Sequence, residues 1–187
     1  MKSPYNFIVK PVNGSRYDNI KKIGDIDFIT SVSQEDHTVS NRFAEVVSTP
    51  VNYDGEIKVG DTLLVHHNVF KYFYDMKGNQ KSSSNYFKDD LFFVDEQRFF
   101  MYNNGSEWKA YGRYCFVKPS DKDDYYIDSH GSEQPLIGNL RYGNKALESL
   151  GVNIGDKVSF TPDSEYEFNI QGEKLYRMFN NNITMVL

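Results

Sequence analysis

The sequence predicts an all-β protein built as two tandem copies of one small barrel or sandwich. Three observations predict it. Short runs rich in β-formers recur at regular spacing between turn residues. Helical periodicity is nearly absent. Most telling, the second half of the chain repeats phrases of the first. Phe7-Ile8-Val9-Lys10-Pro11 returns as Cys115-Phe116-Val117-Lys118-Pro119. Ile57-Lys58-Val59-Gly60-Asp61 with Thr62-Leu63-Leu64-Val65 returns as Val152-Asn153-Ile154-Gly155-Asp156 with Lys157-Val158-Ser159-Phe160. Phe99-Phe100-Met101-Tyr102 returns as Ile183-Thr184-Met185-Val186. Lys118 follows Lys10 by 108 residues, Gly155 follows Gly60 by 95, and Met185 follows Met101 by 84. The separation shrinks by 13 and then by 11, so copy one carries two insertions that copy two lacks.

Each element has its own warrant. Residues 5–12 form an apolar run of strand type. Residues 13–41 are polar and turn-rich, interrupted only by Ile26-Asp27-Phe28-Ile29. A short strand over 43–47 ends at Ser48-Thr49-Pro50, and Asp54-Gly55 signals a turn before the strand over 62–65. Residues 69–76 and 91–94 read as two arms of a hairpin with a mobile tip over 77–85, rich in Gly, Ser and Lys. The strand over 98–102 closes copy one. Copy two opens at 115–119 and passes through a polar stretch, 121–134, to an extended segment over 137–142. One helical turn is expected over 145–150, ended by Gly151. Strands over 156–160, 166–170, 174–179 and 183–187 follow, with Gln171-Gly172 as a hairpin turn. The domain boundary is placed at 105/106, giving domains 1–105 and 106–187.

Composition narrows the function. The 187 residues hold 14 Tyr, 14 Phe and one Trp, a content that suits pleated, half-buried strands. The net charge of −5 gives no broad attraction to phosphate backbones, so nucleic acid is not an expected partner. The single Cys115 cannot make an intramolecular disulfide. No apolar run approaches the ~18 residues of a membrane span. The first residues lack a signal-peptide core. The expectation is a soluble cytoplasmic protein with no membrane partner.

The order of these phrases resembles the GroES-like co-chaperonin family. In copy one, Asp25-Ile26-Asp27-Phe28-Ile29-Thr30 followed by Asn41-Arg42-Phe43-Ala44-Glu45-Val46-Val47 is similar to the family's apolar loop and the strand after it. In copy two, Gly155-Asp156-Lys157-Val158-Ser159-Phe160 and Gly172-Glu173-Lys174-Leu175-Tyr176 are similar to its Gly-Asp-Lys-Val and Gly-Glu-Lys phrases. The doubling resembles the divergent bacteriophage type. The resemblance implies two tandem GroES-like small β-barrels, the first with a long mobile loop (13–41) and an extended hairpin. It implies a homo-oligomeric ring that lids a chaperonin, host or viral, and assists folding. Ile26, Phe28, Ile29 and Thr30 would be the chaperonin-binding residues. Asp27 departs from the pattern, which wants an apolar residue there, and Gly24 stands alone where the family has a glycine pair. Copy two has no clear apolar triplet in its loop.

Two other functions fit the same residues. One is a structural or decoration β-barrel of a virus particle, which would place the protein in the virion. The other is a nucleic-acid-binding barrel using the mixed lysines and rings of residues 71–88, a pattern that an aromatic hairpin also gives. In the competing reading of the loop, Ile26, Phe28 and Ile29 form an ordinary strand packed on their own barrel. His66-His67 on a strand would point to opposite faces and could not chelate one ion. Asp121, Asp123, Asp124 and Asp128 are spaced loosely like a calcium loop, but its glycine and closing glutamate are misplaced. No metal, cofactor or enzyme activity is expected.

Overall fold

The computed structural model describes residues 1–18, 20–23, 26–29, 39–121 and 133–187, with backbone alone for Ile20–Ile23, Ile26–Ile29 and Asp121. It is predominantly β, 48% strand against 7% helix, and its sheets are antiparallel. The chain divides into two compact units, Met1–Glu107 and Trp108–Leu187.

The first unit holds β1 (Phe7–Pro11), β2 (Ile20–Ile23), β3 (Ile26–Ile29), β4 (Phe43–Ser48) and β5 (Thr62–Val65). It continues with β6 (Tyr72–Tyr74), β7 (Gln80–Ser82), β8 (Tyr86–Lys88), β9 (Leu91–Val94) and β10 (Phe99–Asn103). Six of these lie side by side in the order β8-β9-β1-β4-β5-β10. The pairs β2–β3 and β6–β7 each form a separate two-stranded sheet. The second unit holds β11 (Trp108–Ala110), β12 (Tyr114–Asp121), β13 (Glu133–Tyr142), α1 (Lys145–Ser149), β14 (Lys157–Phe160), β15 (Tyr166–Ile170), β16 (Glu173–Phe179) and β17 (Ile183–Val186). Its sheet runs β15-β16-β12-β13-β14-β17.

Those two orders are the same order. With β1 matched to β12, β4 to β13, β5 to β14 and β10 to β17, every neighbour is preserved, and the β8–β9 hairpin matches β15–β16. The registers agree residue by residue. Phe7 pairs Val94 and Ile8 pairs Phe93, as Cys115 pairs Met178 and Phe116 pairs Arg177. Lys10 faces Glu45 and Pro11 faces Ala44, as Lys118 faces Asn139 and Pro119 faces Gly138. Even the irregularities recur: a register shift falls between Ile8 and Val9 and again between Phe116 and Val117. Bulges add twist and re-aim a strand, so a shared bulge means a shared curvature.

The Gly-Asp phrase has the same work in both units. Gly60 and Gly155 take φ +94° and +96°, a region where a Cβ is strained. The Asp61 carboxylate accepts the Lys58 N–H at 2.8 Å, and Asp156 accepts Asn153 N–H at 2.7 Å. Gly60 N–H then donates to Val46 and Gly155 N–H to Leu140, each 2.8 Å. The turn before β5 or β14 is thereby stitched to the adjacent strand, β4 or β13.

Between its matched strands, copy one places β2–β3 and β6–β7. In the second unit residues 161–165 alone link β14 to β15, where the first unit has β6–β7. Two sequence expectations need correction. Residues 69–76 do not pair with 91–94: β6 pairs β7, while β9 pairs β8 and β1. The reason is local turn chemistry. Asp75 accepts the N–H groups of Lys77 and Asn79, both at 2.9 Å, closing β6–β7 early. Asp89 and Asp90 take φ +49° and +54°, closing β8–β9 as a two-residue turn. Gln171 and Gly172 do the same between β15 and β16, as expected. The second correction concerns residues 13–41, which contain one more strand than the triplet, since Ile20–Ile23 pairs with Ile26–Ile29.

Both units bury apolar strand faces. Phe7, Val9, Leu63, Leu64, Val65, Phe92 and Phe99 are fully buried in the first. Phe7 meets Phe99 edge-on with centroids 5.4 Å apart, and Phe70 meets Phe92 at 4.8 Å. The second unit centres on Cys115, Val117, Leu140, Leu147, Val158 and Met178. The helical turn expected over 145–150 is α1, and Asn144 caps it, its Oδ1 accepting the Leu147 N–H. Neither sheet closes into a barrel among the described residues.

Candidate functional site

The candidate site is the arm that leaves copy one between β1 and β4. Its root is a short ladder: Asp18 N–H donates to Val39 O at 2.7 Å, Asn41 N–H to Arg16 O at 2.9 Å, and Tyr17 bridges Ser40. Side chains reinforce that ladder. Buried Asn41 donates through Nδ2 to Val12 O and Ser15 O, at 3.0 and 2.7 Å, while its Oδ1 accepts the Phe43 N–H. Ser40 Oγ donates to His67 O at 2.8 Å. Backbone groups that would otherwise lose water are paired here, which is why the root is fixed.

Beyond the root, β2 and β3 pair with Ile20 opposite Ile29 and Ile23 opposite Ile26. Gly24-Asp25 connects them in sequence, a dipeptide suited to a two-residue hairpin. Three of the four sequence-predicted residues, Ile26, Phe28 and Ile29, therefore belong to one strand of a detached hairpin. Thr30 lies outside the described residues, as do Asp123, Asp124 and Asp128 of the acidic stretch.

The arm's root abuts the second insertion. Arg16 Nε and Nη2 donate to Asp90 Oδ1 at 3.2 and 2.8 Å, and Nη1 donates to Ser82 Oγ at 3.0 Å. The guanidinium also lies 4.5 Å from the Tyr72 ring centroid, 4.8 Å from Tyr86 and 4.9 Å from Phe92. Tyr17 stacks on Tyr72, and its hydroxyl accepts the Tyr72 N–H at 2.8 Å. Burial pushes the Tyr17 phenol above its ordinary value. No sequence pattern announced this cluster. Arg16 sits alone in a polar stretch, and its partners are more than 50 residues away.

The β6–β8 region beside the root exposes Phe73, Tyr74, Met76 and Phe87. Lys71 Nζ lies 5.4 Å from the Phe73 centroid and Lys88 Nζ 5.4 Å from Phe87, so these lysines sit on the hairpin's own rings.

His66 and His67 depart from the strand expectation. The strand ends at Val65, and the two rings lie with centroids 4.1 Å apart rather than on opposite faces. His66 Nδ1 accepts the Asn68 N–H at 3.2 Å. Among the described residues no group of three or more His, Cys, Asp or Glu is arranged to hold a metal. Cys115 is buried, and burial pushes its thiol up to about 12, leaving little thiolate at neutral pH. No helix among the described residues is long and apolar enough to cross a membrane.

A scan against models of protein families matches none, and a search of curated proteins returns no match. The similarity on which a functional reading rests is therefore internal: one strand order used twice.

Proposed function

We propose that this protein is a co-chaperonin-like lid, its two units being GroES-like modules and its copy-one arm the part that grips a chaperonin ring. The observation that carries this reading is the detached hairpin β2–β3. It bears Ile26, Phe28 and Ile29, belongs to neither main sheet, and springs from a hydrogen-bonded root. Its place in a separate two-stranded sheet favours an arm over a strand hydrogen-bonded into its own main sheet. An apolar side chain that a partner fully buries is worth about 1.5–3 kcal/mol. Repeated around a ring, such contacts bind tightly although each is weak.

Self-assembly is supported by the end of the second sheet. β17 is its last strand, and Met185 and Val186 are 59% and 51% exposed. An apolar edge of this kind is a surface for another chain.

The test is capture by a chaperonin ring with and without ATP. Phe28→Asp should abolish nucleotide-dependent capture with an unchanged circular dichroism spectrum, because a carboxylate placed in an apolar groove costs several kcal/mol to desolvate. Ile127→Asp in copy two should leave capture intact. Wild-type protein that ignores the chaperonin but binds virus particles establishes the structural reading instead.

A further inference from the structure

We propose that Arg16 is the positioning residue of the arm. It locks the root of β2–β3 to the β6–β8 region, so that these two parts of copy one act as a single body. The inference rests on contacts, not on the arm's partner. Arg16 belongs to the root of β2–β3, its backbone carbonyl accepting the Asn41 N–H. Its side chain is 10% exposed and leaves the root for β7, through Ser82, and for the β8–β9 turn, through Asp90. Three rings from β6, β8 and β9 surround the guanidinium. Tyr17, next in sequence, repeats the link to β6 through Tyr72 N–H.

Arginine suits this post in a way lysine does not. Its planar fork offers donors in several directions at once and stacks against rings, whereas an ammonium is a compact point charge. Two independent insertions would need no such side chain between them. Here the arm's exit from the frame is set by how the root meets β6–β7, and the residue that fixes that meeting is Arg16. The consequence for the lid rests on the reading above: an arm aimed correctly before contact pays less ordering entropy on binding.

Hydrogen exchange on the full free chain tests the coupling without any partner. Arg16→Met keeps the apolar stem but removes every donor. Amides of 20–29 and 72–82 should exchange about tenfold faster, the shift that ~1.4 kcal/mol of lost docking gives. Amides of β5 and β10 should not change. Asp90→Asn should move the same two segments in the same direction by less, and its φ of +54° is one that asparagine tolerates. Arg16→Lys should fall between Arg16→Met and wild type. Exchange that stays at wild-type rates in both segments, or rises equally in β5 and β10, overturns the proposal. Chaperonin capture is measured in parallel: a tenfold loss in Arg16→Met, against intact wild-type capture, extends the coupling to function. Failure of wild-type capture removes the lid while the exchange result still decides the role of Arg16.

Discussion

Two glycines in the second unit illustrate different reasons for lacking a side chain. Gly155 has open space around its missing Cβ but sits at φ +96°, so its constraint is conformational. Gly155→Ala should cost about 1–2 kcal/mol, the strain of an L-residue in that region, read as a shifted urea midpoint. Gly138 has an ordinary φ, but a Cβ there would meet Lys118 O and Val117 Cγ1 at 2.4 Å each. Gly138→Ala must displace a neighbouring strand, so it should destabilise more than Gly155→Ala; an equal or smaller loss would show that β12 yields easily. The first constraint was legible in the sequence, because a Gly-Asp phrase repeated in one place demands a special turn. The second was not. Its counterpart in copy one is Ala44, fully buried at the same register, and nothing in the string marks one position as tolerating a methyl and the other as refusing it.

Strands β12, β13, β15 and β16 carry a lattice of charges on one region of the second unit. Glu173 receives Lys118 and Arg141, both at 3.0 Å, and Glu133 receives Lys174 at 2.8 Å and the Tyr176 hydroxyl. Lys118 chiefly, then Arg141, holds the Glu173 carboxyl below its ordinary value of 4.5, and Lys174 then Tyr176 does so for Glu133. Lowered carboxylates stabilise the fold above their unfolded value, and that contribution is lost as pH falls through the lowered folded values. The second unit should therefore lose stability below about 4.5, modestly because the pairs are solvent-screened. Glu173→Gln should be less stable at pH 7 and show a flatter decline in acid-titration melts. A decline as steep as wild type would assign the acid sensitivity to other carboxylates. Elements such as this hairpin were easy to read, since β15 and β16 flank Gln-Gly. Pairing in copy one was harder: Asp89-Asp90 is a weak turn signal, and Ile20-Lys21-Lys22-Ile23 offers too little alternation to announce a strand.

At the scale of the molecule, repetition was the legible feature. Strand phrases survive divergence because alternating burial constrains them, so three echoes sufficed to expose two copies. The places where the echoes fell out of step marked where β2–β3 and β6–β7 would lie. Closure of each sheet was not legible, because the distance between edge strands depends on curvature that bulges at Ile8/Val9 and Phe116/Val117 help to set. Under the proposed ring, the exposed β17 is the surface that a second copy would cover. Val186→Lys should shift the sedimentation coefficient toward a single chain while leaving the melting of the second unit within about 0.5 kcal/mol of wild type, as is usual for surface changes. Wild-type protein that already sediments as one chain would remove the ring.

The matching pairs Pro11–Ala44 and Pro119–Gly138 have a practical meaning. They are equivalent points of the two frames: residues 12–43 run between them in copy one and residues 120–137 in copy two, where β12 and β13 stay paired as far as Asp121 and Glu133. Grafting residues 12–43 into copy two, in place of residues 120–137, would set the β2–β3 hairpin on a frame that has residues 161–165 where copy one has β6–β7, so Arg16 would lose its Ser82 and Asp90 partners. The product would carry a second β2–β3 hairpin per chain, one without the docking that Arg16 gives the first.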